Sequence, residues 1–264
     1  MNTTVLPTSN TQKGLSANML KLCAVIGMVL EHFSVFVPAD NPIFDVMRFC
    51  GKLAAPIFFY LVVEGYHHTH NKNKYTRNMA VFALISYIPF ILCFDGVLNW
   101  ETFLNFNVIY TLLIGLLVMR ARHEIRNPLV KYLAIGLLII LSCFGDWGYF
   151  APLMILTFDI FYGDNKKQAY AYAIIALIKP KMQSNLLINI LSPILSFANP
   201  HVRSLDFMNW DIFLLLEMGT LLPVILIYLY NGQKGKSSSL TKWSFYIIYP
   251  LHLLIIAVFK IIFQ

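Results

Sequence analysis

Residues 19–37, MLKLCAVIGMVLEHFSVFV, are long and apolar enough to cross a bilayer, yet they hold Lys21 near one end and Glu31-His32 well inside. Any fold of this chain must give those groups partners, because an ionisable side chain at membrane depth costs about 2.5–3.5 kcal/mol on insertion scales. Lys21 and His32 are eleven positions apart. At about 100° per residue they share one helix face, and at ~1.5 Å of rise they stand roughly 16 Å apart along the axis. A cation at a rim and an imidazole deep below it can hold the two ends of one long ligand.

Comparable apolar runs recur along the 264 residues, which are 58% hydrophobic and 12% charged, with a mean hydropathy of +0.65. A soluble domain carries about 25% charged residues. The chain therefore reads as all-α, a polytopic transmembrane helix bundle of about nine spans, with eight to ten allowed. The runs lie at about 17–37, 44–66, 76–94, 104–119, 129–145, 147–163, 211–230 and 243–263, with 168–199 ambiguous. Residues 1–16 are polar and read as a flexible cytoplasmic tail, and 17–264 as a single transmembrane domain. The first run lacks a small-residue cleavage site and is not read as a removed secretion signal.

The formal charge of +7 has a membrane explanation and does not call for nucleic acid. Lys72, Lys74 and Arg77 cluster between two spans; so do Arg120, Arg122, Arg126 and Lys131, then Lys166 and Lys167, then Lys234, Lys236 and Lys242. Asp40, Asp45, Asp95, Glu101 and Asp146 fall in the alternate connections. This is the positive-inside pattern. It predicts a multi-pass protein of the plasma (inner) membrane with a cytoplasmic N-terminus. The same count strands Lys179 and Lys181 outside if 168–199 crosses once. Trp100, Trp147, Trp210 and Trp243 sit at span edges, as an interfacial belt requires. Cys23, Cys50, Cys93 and Cys143 show no zinc or redox spacing and read as free thiols.

Several groups carry candidate chemistry. His32 is a candidate general base, with Glu31 beside it to orient it or a group on a neighbouring helix. Lys52 falls at a similar depth on the second span and needs an anionic partner, for which Glu31 is the candidate. Tyr249 and His252 share a face of the last span. His67, His68 and His70 precede the Lys72, Lys74 and Arg77 cluster, which reads as a basic rim for headgroups or phosphate. No nearby carboxylate or cysteine completes a zinc set there, so no metal is expected. Glu217 and Asp159 are further intramembrane acids without an assigned role.

The segments LKLCAVIGMVLEHF, RFCGKLAAPIFFYLVVEGYHHTHNKNKY, FALISYIPF, NVIYTLLIGLL, DWGYFAPLMIL, LYNGQKG and FYIIYPLHLL occur in this order. In that order the chain resembles the TraX family of membrane proteins, named for acetylation of F-type pilin, and through it a wider group of transmembrane acyltransferases. Members of that group carry a basic residue, ten intervening residues and a His in an early helix, which Lys21 and His32 match. The resemblance implies an acetyl-CoA donor and a cell-envelope acceptor, a pilin-like amine or a glycan hydroxyl. His32 stands at the acyl-transfer point in that scheme, with Glu31, Lys52, Tyr249 and His252 as its catalytic neighbours. Lys21, His68, Lys72, Lys74 and Arg77 would meet the CoA phosphates. Relatives commonly have Asp at 31 and Arg at 52 and 70, so Lys52 lacks the bidentate fork of arginine. The alternative is a proton-coupled transporter whose relay is Glu31, His32, Lys52 and His252.

Overall fold

The computed structural model describes residues 14–100, 102–183, 216–235 and 239–263, with side chains left out of account at 180–183, 239–245 and 263. Among these residues the regular structure is helical, with isolated bridges at Leu15–Tyr230 and Phe106–Gly145. In chain order the helices are α1 (Ala17–Phe33), α2 (Pro42–Gly51), α3 (Ala54–His68), α4 (Lys72–Ile85), α5 (Tyr87–Phe94), α6 (Val108–Glu124), α7 (Pro128–Ser142), α8 (Phe150–Ile160), α9 (Asn165–Gln183), α10 (Leu222–Tyr228) and α11 (Ser239–Phe263). Residues 17–36, 42–68 and 72–94 form three helical stretches long and apolar enough to cross a membrane, beside shorter apolar helices. The protein is an all-α membrane bundle.

Burial follows from which faces are apolar. On α3 and α6 most positions are buried, including Ile57, Phe59, Tyr60, Leu116 and Met119, so these two helices form the centre. A helix that is apolar all round belongs there. On α7 Ser142 is the one buried residue, while Leu129, Leu133, Leu137 and Ile140 face outward. An outer surface this apolar is a lipid-facing surface. On α1, Ala17, Leu20, Ala24, Gly27 and Met28 form the inward stripe, and Met19, Leu22, Ile26 and Leu30 face out.

Two expected spans are each broken into a pair of helices. Pro56 has no N–H to give the Lys52 carbonyl, and the backbone turns at Lys52-Leu53 between α2 and α3. Pro89 does the same to Ile85, and α4 gives way to α5 at Ser86. The basic cluster expected between spans two and three lies instead on the first turns of α4. The Asn71 side chain accepts the Lys74 N–H at 2.8 Å, which starts the helix at Lys72. Lys179 is likewise not in an exposed connection: α9 runs through it, and it is 3% exposed. Lys181, Trp210, Trp243, Lys236, Lys242, Glu101 and most of the 1–16 tail lie outside the described residues or their described side chains, as does the stretch needed to count nine crossings.

The Lys21 end of the bundle is tied together by the chain's own late residues. Leu15 N–H donates to Leu229 O at 2.9 Å, Asn231 N–H to Leu15 O at 2.9 Å, and Ala17 N–H to Gln233 O at 2.8 Å. The last turns of α3, α6 and α8 and the first turns of α4 and α9 surround that end.

Candidate active site

His32, on the last turn of α1, meets His252 of α11. Their rings are nearly coplanar, at 2°, and His32 Nδ1 lies 2.6 Å from His252 Nε2. The other nitrogen of His252 fixes the proton positions. His252 Nδ1 is 2.7 Å from the Ile248 carbonyl, which can only accept, so Nδ1 carries the hydrogen. In the neutral pair His252 Nε2 is then the acceptor and His32 Nδ1–H the donor. That leaves His32 Nε2 as a free lone pair, the form a base or nucleophile needs. Phe94 and Tyr249 pack edge-on against the His32 ring, with centroids at 5.3 and 6.4 Å.

A charged network lies one residue away. Glu31 points to Lys52 rather than to His32, with Nζ–Oε1 at 3.6 Å, and Lys52 also reaches Glu217 at 3.3 Å. Glu217 accepts from Lys179 at 2.6 Å, and the Lys179 ammonium sits 4.2 Å above the Trp147 ring. Two acids and two lysines alternate in this chain, which is what a buried set of charges requires. Two glycines make it possible. A Cβ on Gly51 would stand 2.3 Å from Glu31 Cβ, and one on Gly219 2.3 Å from the Phe49 carbonyl. The close approach at Gly51 sets Glu31 against the helix break that presents Lys52, and the approach at Gly219 brings Glu217 to the same place.

Trp147, expected in an interfacial belt, is turned inward. Its φ of 67° is a left-handed conformation that costs a non-glycine residue about 1–2 kcal/mol, and its ring packs on Phe59 as well as under Lys179. Its neighbour Asp146, on the turn between α7 and α8, stands within electrostatic range of Glu31, Lys52 and Lys179. Burial and then the Glu31 charge push its carboxyl up to about 6, against the pull of Lys52 and Lys179.

The residues assigned to a phosphate rim gather at the Lys21 end. His68 Nδ1 is 2.9 Å from the Glu64 carbonyl, and Lys72 donates to the Tyr66 hydroxyl at 2.9 Å while lying over that ring. Lys74 and Arg77 are exposed on α4, and Lys21 is half-buried on α1. The ten candidate residues thus fall into two groups at different depths: Glu31, His32, Lys52, Tyr249 and His252 within the bundle, and the rest toward its Lys21 end.

Sequence reasoning missed three neighbours. Arg48 stands within electrostatic range of both His32 and Lys52, Lys179 was expected outside, and Asp146 was read as an ordinary loop acid. A basic residue four positions before Lys52 was the available signal for Arg48.

A family model described as TraX protein matches residues 16–260. A curated relative, the probable fimbrial assembly protein FimC, serogroup H1, of Dichelobacter nodosus, is 26% identical over 255 residues, covering 94% of this chain and 97% of that protein. No solved structure matches the chain.

Proposed function

The chain belongs to the TraX family, and from that premise we propose that it is an integral membrane acetyltransferase carrying acetyl from acetyl-CoA to an envelope acceptor. The observation that carries the reading is the His32–His252 hydrogen bond, which leaves His32 Nε2 unprotonated inside the bundle. An amine or hydroxyl at that nitrogen gives up its proton as it attacks the thioester carbonyl. The tetrahedral intermediate then collapses, the carbon–sulfur bond breaks, and the imidazolium returns the proton to the CoA thiolate. In the variant route His32 Nε2 itself takes the acetyl group and passes it on. Lys52 and Tyr249 are the candidate stabilisers of the oxyanion.

The two-depth arrangement supports the donor assignment. Lys21, His68, Lys72, Lys74 and Arg77 at one end would neutralise CoA phosphates, and the ~16 Å rise along α1 to His32 suits an extended pantetheine arm. The charge pattern of the connections supports a cytoplasmic location for that end, in an inner-membrane protein. The acceptor then approaches from the outer side. The fimbrial relative's name favours a pilin-like protein over a glycan as acceptor.

The test is transfer of labelled acetyl from acetyl-CoA by purified protein to pilin-type peptides and envelope glycans. His32→Ala must abolish it; retained turnover removes His32 from the mechanism. The alternating Glu31–Lys52–Glu217–Lys179 chain favours one second reading, a proton-coupled transporter. Saturable CoA binding argues for the transferase, and pH-gradient-driven uptake without CoA binding for the transporter.

A further inference from the structure

We propose that His67, His123 and Asp159 form a binding site for one divalent ion of the zinc class at the Lys21 end of the bundle. These residues come from the last turns of α3, α6 and α8, and their ligand atoms all lie within 4.8 Å of one another. His67 Nε2 is 2.8 Å from Asp159 Oδ1, and His123 Nε2 is 3.0 Å from Oδ1 and 2.9 Å from Oδ2. The site lies apart from the His32 pair and does not depend on the acetyltransferase reading.

Three features distinguish the cluster from a surface ion pair. Asp159 is set in an otherwise apolar helix, FAPLMILTFDI, and its carboxylate is 0% exposed, whereas the His67 and His123 side chains are 22% and 35% exposed. An ion can therefore enter past the two rings while the acid stays in place. The rings are held by stacking: Tyr162 lies 3.7 Å from His67 at 15°, and Tyr66 lies 5.5 Å from His123 at 29°. Arg122 binds Asp159 Oδ2 and balances its charge while no ion is present, and Oδ1 stays within reach of both imidazoles.

The donor set selects the ion. Two imidazoles and one carboxylate suit zinc, cobalt or ferrous iron, while magnesium and calcium prefer oxygen alone. A tetrahedral ion with bonds near 2.1 Å keeps its ligands about 3.4 Å apart, which these rings reach by small rotations. Each imidazole would present its Nε2 lone pair with the proton on Nδ1, and the fourth position would remain for water. The Arg122 guanidinium, 3.4 Å from His123 Nε2, opposes the ion electrostatically and holds the acid in its absence.

The experiment uses full-length protein in detergent, purified on a tag without histidine and stripped with a chelator. Cobalt(II) is the probe, read by its visible ligand-field absorption and displaced by zinc. One cobalt per chain is expected for wild type and for the His68→Ala, His70→Ala double variant. His67→Ala and His123→Gln should lose the absorption while still unfolding cooperatively. Arg122→Gln should bind about tenfold tighter, since a cation in contact with the site has gone. Folded wild-type protein without stoichiometric cobalt overturns the site. So does unchanged binding in His123→Gln, or Arg122→Gln binding no tighter than wild type. Acetyl transfer is not part of the readout, so failure here leaves the catalytic reading intact.

Discussion

His32 and His252, 220 residues apart, share one hydrogen bond of 2.6 Å whose direction is set by a third atom, the Ile248 carbonyl. If His32 Nε2 is the base, His252 is a positioning residue that selects its tautomer. His252→Ala is expected to lower acetyl transfer about 10²-fold, at the low end of what a misassigned acid–base group costs. His252→Gln should keep part of the activity, because its amide oxygen can still accept from Nδ1–H. Equal loss in both variants would indicate packing instead.

The four-charge network predicts a large asymmetry between breaking and replacing it. Glu217→Leu strands Lys179, leaves Lys52 with Glu31 alone, and is expected to cost about 3–5 kcal/mol. That is a fall of roughly 10 °C in Tm for a chain of this size. Adding Lys179→Met should restore most of it, since a neutral apolar pair carries no desolvation cost. Thermal unfolding in detergent measures both.

Gly51 and Gly136 make a matched test of close packing. A Cβ at Gly51 would meet Glu31 at 2.3 Å, while one at Gly136 meets nothing within 4 Å. Gly51→Ala should destabilise by about 1–3 kcal/mol despite its better helix propensity, because Glu31 must move. Gly136→Ala should be neutral or stabilising by up to ~1 kcal/mol.

Asp146 gives a pH dependence with a definite sign. Its carboxyl is raised from 3.8 to about 6 on folding, so the fold disfavours the ionised form. Wild-type stability is then reduced progressively as pH rises between about 4 and 6 and stays reduced above. Asp146→Asn should be more stable than wild type at pH 8, with the difference closing toward pH 4. A difference that widens on acidification would contradict the assignment.

Orientation is tested by labelling. In a chain with its four cysteines replaced, Gln233→Cys and Asp40→Cys sit in exposed positions at opposite ends of the bundle. An impermeant thiol reagent added to intact cells should reach position 40 and not position 233. The reverse pattern overturns a cytoplasmic N-terminus.

Much of the bundle could be read from the chain, because span length and intramembrane charge are local signals. The eleven-residue step on α1 and the pairing of Lys52 with Glu31 needed only one helix and a charge requirement. What escaped was long-range. Nothing local tells Lys179 that Glu217 waits 38 residues on, or His67 that its carboxylate lies 92 residues away. The inward turn of Trp147 depends on a left-handed backbone that no bulky residue prefers, so its sequence argues against it. The breaks at Lys52 and Ser86 were signalled by Pro56 and Pro89, but a membrane helix can also absorb proline, as α11 does at Pro250.

The hydrogen bonds that tie Leu15 and Ala17 to residues 229–233, like the bond between His32 and His252, join the beginning of the chain to its end. Synthesis proceeds at about 5–20 residues per second, so α1 waits on the order of 10–40 s for these partners. During that interval the nascent protein holds an imidazole with no fixed tautomer and an end not yet tied down. The His32–His252 pair therefore completes only late in synthesis, and a chain truncated before α11 would insert in the membrane yet lack the His252 that fixes the His32 tautomer.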